Sequence, residues 1–356
     1  MTDIVDNSGV EDGASKRYLR TARKRSIIVF VMMAIVAFSV LLDVSLGPGN
    51  FPLSDIIDVL WDENSHGVSL SVIVWDIRLP VALMALLIGA MLGAAGAEMQ
   101  TILNNPLADP FTLGISSAAS FGASLAIVAG FSLIPYAGTL LITTNAFGFA
   151  LLASFILFAT TRMRGVNIET MVLVGIALMF TFNALLALMQ YYSSETELQK
   201  IVFWMMGSLM RVTWSKLAIC AVILGICLPI FMWRNWQLTA LRLGDEKARS
   251  MGINVSRLRI EMLILVSLLS AVSVAFVGVI GFIGLVGPHM ARMMVGEDQR
   301  FFLPMSVFCG ALILSVASII SKMITPGIIY PIGMITSLIG VPFFLSLVLK
   351  QRKRSW

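Results

Sequence analysis

Repeated runs of about twenty uncharged, apolar residues constrain this sequence more than any single motif does. Such a run is the length of helix that crosses the hydrocarbon core of a bilayer. Ten fit the chain, near residues 27–47, 79–101, 112–132, 139–161, 168–190, 214–233, 259–279, 281–296, 303–323 and 331–349. With 58% hydrophobic and 13% charged residues, a soluble domain is excluded. The ten-residue alternating segments of an outer-membrane barrel are missing. The expected fold is therefore an all-α polytopic membrane protein with about ten transmembrane helices.

Charge placement orients these spans. Residues 1–26 are polar and end in a basic run (Lys16, Arg17, Arg20, Arg23, Lys24, Arg25). No small-residue cleavage site follows the first apolar span, so a signal peptide is not expected. Residues 1–26 are read as an unstructured cytoplasmic tail, 27–350 as the membrane domain and 351–356 as a basic cytoplasmic tail. Of the 25 Lys and Arg residues, ten crossings leave only Arg78, Lys200, Arg211, Lys216 and Lys322 outside, which agrees with the positive-inside rule. The first outer loop carries Asp55, Asp58, Asp62, Glu63 and Asp76 but no lysine. The expected location is a bacterial inner membrane with both termini cytoplasmic.

Several segments invite chemistry and are weighed against packing. "GAMLGAAGAEMQ" spaces Gly89, Gly93 and Gly96 as small residues are spaced where membrane helices pack closely. Glu98 lies about twenty residues into its span and is expected to be a solvated end. "NNPLADPFTLG", with Pro106 and Pro110, predicts a rigid reversal. "AFVGVIGFIGLVGPHMARMMVG", with four interior glycines and a proline, covers the boundary of the seventh and eighth spans and suits broken helix, and His289 reads as a hydrogen-bonded interfacial residue. In the fifth span Met179, Phe180, Thr181 and Asn183 suit either bundle packing or a pathway lining. Cys220, Cys227 and Cys309 fall in apolar spans without a CxxC pattern and read as small buried hydrophobes; no metal site is expected.

Two absences separate functional classes. There is no GxxxxGK[ST] loop to cradle nucleotide phosphates, and mid-membrane Asp, Glu and His are scarce, unlike proton-driven carriers. If the chain transports, its energy comes from another polypeptide. An ion-gradient carrier and an intramembrane enzyme stay as rival classes. The one long hydrophilic island of the second half, within 234–258, is "ALRLGDEKARSMGINV". Asp245 suits a helix N-cap, Ala248 and Met251 share one face, and so short a helix needs a packing partner.

These residues resemble a known family. "RLP" (78–80), "GAAGAEMQTILNNPLADPFTLGISSAASFGA" (93–123), "FWMMGSL" (203–209), "LGDEKARSMGINV" (243–255), "GVIGFIGLVGPHMARMMVGEDQR" (278–300) and "PIGMITSLIGVPFF" (331–344) are similar, in order, to the motifs of FecCD/BtuC-like permeases. These are the membrane subunits of type II ABC importers for iron-siderophores, haem and vitamin B12. The resemblance implies a BtuC-like bundle, a second permease subunit (identical or not), two cytoplasmic ATPases that bind ATP and Mg, and an external substrate-binding protein. It implies no cofactor on this chain and no nucleic-acid partner.

By position, the resemblance makes 243–252 the ATPase-coupling helix, with Leu243, Gly244, Asp245, Ala248, Arg249 and Gly252 as its residues. Asn105 and Leu107 become half of a cytoplasmic gate, completed by Ile168 and Glu169. Met179, Thr181 and Asn183 are pathway candidates. Arg78 and Lys322 are the basic residues expected to meet carboxylates of the binding protein. Val81 replaces the second arginine of the family's docking motif, Ser318 a frequent aspartate, and Ile329 a glutamate. The implied cargo is an iron chelate, most of all a ferric siderophore, with haem and cobalamin as alternatives.

Overall fold

The first helix is longer than the apolar run at its centre. The computed structural model describes residues 8–49, 51–63, 65–133, 138–161, 168–325 and 327–352. Helix α1 (Ser8–Ser45) already begins within the stretch expected to be an unstructured tail. Its early turns are rich in Ala, Lys and Arg, which favour helix. Arg25 ties it down, with Nη1 3.9 Å from Asp298 and the guanidinium over the Phe301 ring.

Helices α2 (Leu53–Trp61) and α3 (Val68–Val72) follow, and α3 runs through a π-helical turn, Ile73–Arg78, into α4 (Leu79–Ile102). Arg78 stands at that junction and faces inward. Its guanidinium donates to the carbonyls of Val44 (3.2 Å), Ser45 (3.0 Å), Pro48 (3.0 Å) and Gly49 (3.0 Å). The end of a helix leaves carbonyls without internal partners, and one arginine satisfies those at the end of α1. Lys322 is likewise inside. Its Nζ lies 2.8 Å from Asp43 Oδ1, and Ser318 Oγ donates to the same oxygen at 3.0 Å. Both cations expected to dock a partner are buried and engaged within the chain, so neither presents a charge outward. At Ser318, the place of the family's frequent aspartate, Asp43 brings a carboxylate from another helix.

The remaining helices are α5 (Ile115–Ala129), α6 (Leu141–Thr161), α7 (Ile168–Tyr192), α8 (Glu195–Met205), α9 (Trp214–Trp233), α10 (Asn235–Leu241), α11 (Asp245–Ser250), α12 (Val255–Val277), α13 (Ile283–Val295), α14 (Gln299–Met323) and α15 (Ile332–Arg352). Among the described residues, seven helices are long and apolar enough to cross a membrane, fewer than the ten expected. Of the expected spans, 112–132 and 281–296 are realised as short helices, α5 (15 residues) and α13 (13 residues), whereas α15 runs for 21 residues. Glycines in the left-handed region, Gly114 and Gly130, bound α5. Helix α13 starts only after the non-helical stretch 278–282, where Gly278 and Phe282 have positive φ.

Helix α4 is the centre of the bundle. A Cβ on Gly89 or Gly93 would collide with the backbone of α14 at Gly310 and Ser306, and one on Gly96 with Gly284 of α13. These glycines let backbones touch, as membrane helix packing requires. Helix α12 packs between α4 and α6. Glu98 is completely buried in this core instead of solvated, because α4 remains packed on all sides through its last turns.

The broken backbone between α12 and α13 is covered by protein. Ser208 N donates to Val277 O at 2.7 Å, Gly333 N to Met206 O at 2.9 Å and Ile332 N to Gly207 O at 3.3 Å. The turn after α8, the end of α12 and the start of α15 thus satisfy one another's backbone groups. His289 makes an edge-on contact with Phe343, centroids 6.2 Å apart.

Candidate functional site

Two glycines define the hydrophilic island. Gly244 at φ 102° precedes α11 and Gly252 at φ 82° follows it. Gly252 N donates to Arg249 O (2.9 Å) and Ile253 N to Ala248 O (3.1 Å), the paired bonds of a Schellman ending. The buried side chains of Ala248 and Ile253 sit beneath this ending. Only glycine takes such a φ freely, so the sequence fixes where the helix stops.

Asp245 is the first residue of α11, and Gly244 is the N-cap; the N-cap role expected of Asp245 goes unused. Its carboxylate instead accepts both terminal nitrogens of Arg259 on α12, at 2.7 and 2.8 Å. Arg259 Nε donates to Ile102 O, the last residue of α4, at 2.9 Å. One guanidinium therefore joins α11, α12 and the end of α4. Ala248 and Met251 do not share a face: Ala248 is buried, whereas Leu243, Lys247, Arg249 and Met251 are exposed. Two apolar and two basic side chains on an externally unsupported turn make a surface suited to a protein partner.

The reversal after α4 is built as its prolines suggest. Asn104 has φ 43°, Asn105 Oδ1 accepts Leu107 N at 2.9 Å, and Asp109 Oδ1 accepts Phe111 N at 3.0 Å. Leu107 is exposed at the tip. Burial pushes the Asp109 carboxyl up to about 6, against the lowering effect of the Phe111 N–H. The segment 162–167 lies outside the described residues, as does the side chain of Ile168; Glu169 is exposed on the first turn of α7. Further along α7, Met179 is half-buried, its backbone close to Gly114. Thr181 and Asn183 are exposed, and Thr181 Oγ1 donates to Ala177 O at 2.8 Å.

Sequence reasoning missed Arg259, Asp43 and α8. The last had a legible signal in "SETE": Ser194 N donates to Glu197 Oε2 at 2.9 Å and Ser194 Oγ accepts Glu197 N at 3.4 Å, a capping box. Arg259 and Asp43 act through residues distant in sequence and gave no local signal. No group of three or more His, Cys, Asp or Glu side chains able to hold a metal occurs among the described residues.

With this geometry in view, comparison with known proteins is decisive. Residues 35–350 match the FecCD transport family. The chain belongs to that family. A permease of Methanocaldococcus jannaschii is 36% identical, covering 95% of this chain and 99% of that one. The hemin transport permease HmuU of Yersinia pestis is 37% identical over 93% and 97%. The iron chelatin permease of Helicobacter pylori strain 26695 is 39% identical over 81% and 86%. A metal-chelate-type ABC transporter solved in an inward-facing conformation superposes with a TM-score of 0.78 at 31% identity, covering 92% of this chain and 99% of that one. This FecCD chain is accordingly a multi-pass inner-membrane permease with a BtuC-like bundle. It is a subunit of an ABC importer, a complex with a paired permease, ATPase subunits and a substrate-binding protein. ATP and Mg belong to the partner ATPase.

Proposed function

We propose that this FecCD permease carries an iron chelate of the siderophore class across the inner membrane, driven by ATP hydrolysis on partner subunits. The observation that supports this most is the resemblance, over four-fifths of the chain, to a permease named for iron chelatin transport. Haem is the second reading, favoured by the wider coverage of the hemin permease. In this reading the chain crosses ten times with both termini cytoplasmic. The short helices α5 and α13, with α15, complete the count. The membrane domain is 27–350, flanked by tails 1–26 and 351–356.

The coupling surface is 243–252. Leu243, Arg249 and Met251 contact the ATPase, while Gly244, Asp245, Ala248 and Gly252 hold the turn in shape. ATP-driven closure reorients the permease only if this surface is bound differently in the two states. Asn105 and Leu107, with Ile168 and Glu169, form the cytoplasmic gate. On α7, Met179, Thr181 and Asn183 are the pathway residues beside a second permease subunit, Met179 and Asn183 one turn apart and Thr181 on the other side of the helix. Its exposed, uncharged polar groups favour a low-affinity conduit, with selection left to the binding protein.

The test is co-purification with the ATPase and binding protein encoded beside this chain, followed by uptake into proteoliposomes. The binding protein is titrated with ferric siderophores, haem, cobalamin and molybdate. Submicromolar binding of a ferric siderophore with ATP-dependent uptake is expected. Uptake without the ATPase sinks the importer reading, and exclusive binding of another ligand sinks the choice of cargo.

A further inference from the structure

Glu98 is the one carboxylate in the core of α4, and nothing bonded to it explains its presence. It is fully buried, and neither Oε1 nor Oε2 has a hydrogen-bond partner among the described residues. Burying an unpaired carboxylate anion is costly, so the charged form of Glu98 is stabilised only where a cation reaches it.

The cation placed toward this part of α4 is Arg242: its guanidinium and that of Arg292 both lie over the Phe302 ring, and Arg292 is bonded to Gln100, two residues along α4 from Glu98. In this conformation Arg242 is engaged elsewhere. Its Nη1 donates to Glu297 O at 3.0 Å, its Nη2 lies 3.4 Å from Glu297 Oε1, and its guanidinium stacks on Phe302 with 4.9 Å to the ring centroid. Glu297 is more than half exposed; a solvated carboxylate is a weak anchor. The neighbouring cation, Arg292, is held by Gln100 Oε1 at 2.9 Å and by Glu297 at 3.0 Å.

The end of α4 and the adjoining starts of α10 and α14 carry undonated acceptors. Gln299 Nε2 donates to Thr101 Oγ1, one turn along α4 from Glu98, at 2.7 Å, and leaves its own Oε1 buried without a donor. Thr239 on α10 accepts Gln299 N at 3.4 Å, and Asn235 Oδ1, one turn back on α10, is also buried and undonated. Arginine carries five donors in a rigid fork, which suits such acceptors. Arg242 is also the C-cap of α10 and immediately precedes Leu243 of the coupling surface. Any displacement of that surface pulls directly on it.

We propose that Glu98 is a positioning residue for coupling: when the ATPases close, Arg242 exchanges Glu297 for Glu98 and thereby fixes α10 and α11 against α4. The exchange moves the guanidinium from a solvated anion to a buried one and needs no new residue. This inference rests on the importer reading. Wild-type ATP-dependent uptake is therefore the first control, and its absence condemns that reading instead of this one.

The experiment uses the full complex in proteoliposomes and reads two quantities, substrate moved per ATP hydrolysed and the fraction trapped by ATP with vanadate. Glu98→Gln keeps the shape and removes the charge; about a tenfold fall in both quantities is expected, within the usual range of allosteric coupling. Glu98→Asp restores part of the loss. Glu297→Gln, at an exposed position, weakens the competing anchor and is expected to raise the trapped fraction. Wild-type behaviour of Glu98→Gln, or a trapped fraction that falls or stays unchanged in Glu297→Gln, overturns the proposal. Should Glu98→Gln fail to assemble, the Glu297→Gln result decides alone.

Discussion

Arg259 offers the sharpest test of how the coupling surface is organised. Its guanidinium makes two bonds to Asp245 and one to Ile102 O. The pair is partly exposed, at 14% for Arg259 and 34% for Asp245, so each charge-assisted bond falls well short of the ~1.5–3 kcal/mol assigned to hydrogen bonds with charged groups. Roughly 1–2 kcal/mol for the pair is a reasonable sum. Without it, α11 is a six-residue helix, far below the length that is stable alone in water. The cost of ordering it then falls on ATPase binding. Arg259→Ala should weaken the affinity of the permease for its ATPase about 5- to 30-fold, at 1.4 kcal/mol per tenfold. The assay is a titration of the detergent-solubilised permease against immobilised ATPase, with Asp245→Ala and the double variant alongside. The double variant should bind no worse than the weaker single, because both remove one bond network. Additive losses, or an Arg259→Ala affinity within twofold of wild type, would refute the claim that this arginine pre-forms the surface.

Three further outcomes are expected. Gly252→Val forces a branched side chain into the left-handed region, costing roughly 1–3 kcal/mol; ATPase association in pull-down should drop while the purified subunit keeps its elution volume. Lys322→Met leaves Asp43 buried and unpaired, a loss of about 3–5 kcal/mol visible as a lowered melting temperature, and Asp43→Asn in the same chain should restore most of it. The carboxyl of Asp109 is raised by burial from 3.8 to about 6. Between those values the unfolded chain gives up its proton first, so this group's contribution to stability falls as pH rises through that window and is flat above it. The total is at most about 3 kcal/mol, and thermal melts of Asp109→Asn should have a flatter profile there.

The apolar runs made the all-helical membrane fold legible, and the small residues of α4 announced the close contacts with α13 and α14. What stayed hidden was a matter of length and partnership. Hydropathy cannot tell a full crossing from a shorter helix flanked by non-helical turns, so α5 and α13 looked longer than they are. A charge's sequence neighbours do not say whether it points out or in. Arg78 and Lys322 sit at span ends and looked like surface cations; one closes the end of α1 and the other pairs with Asp43, 279 residues away. Glu98 looked solvated because it nears the end of a run, yet α4 is packed beyond it. The island at 243–252 was legible as short and glycine-bounded, while its brace, Arg259, was invisible until α12 folded beside it.

The Asp43–Lys322 contact also bears on how the chain is made. Asp43 belongs to α1, which leaves the ribosome well before α14, and the ammonium that neutralises it lies near the end of α14. Throughout most of synthesis the nascent bundle therefore holds an unmatched carboxylate, which favours keeping α1 at the bundle's edge, close to the aqueous boundary. Arrival of α14 supplies the missing charge and lets α1 settle. The last third of the polypeptide thus works as a latch on the first, and a chain stopped short of Lys322 should mark itself for proteolysis.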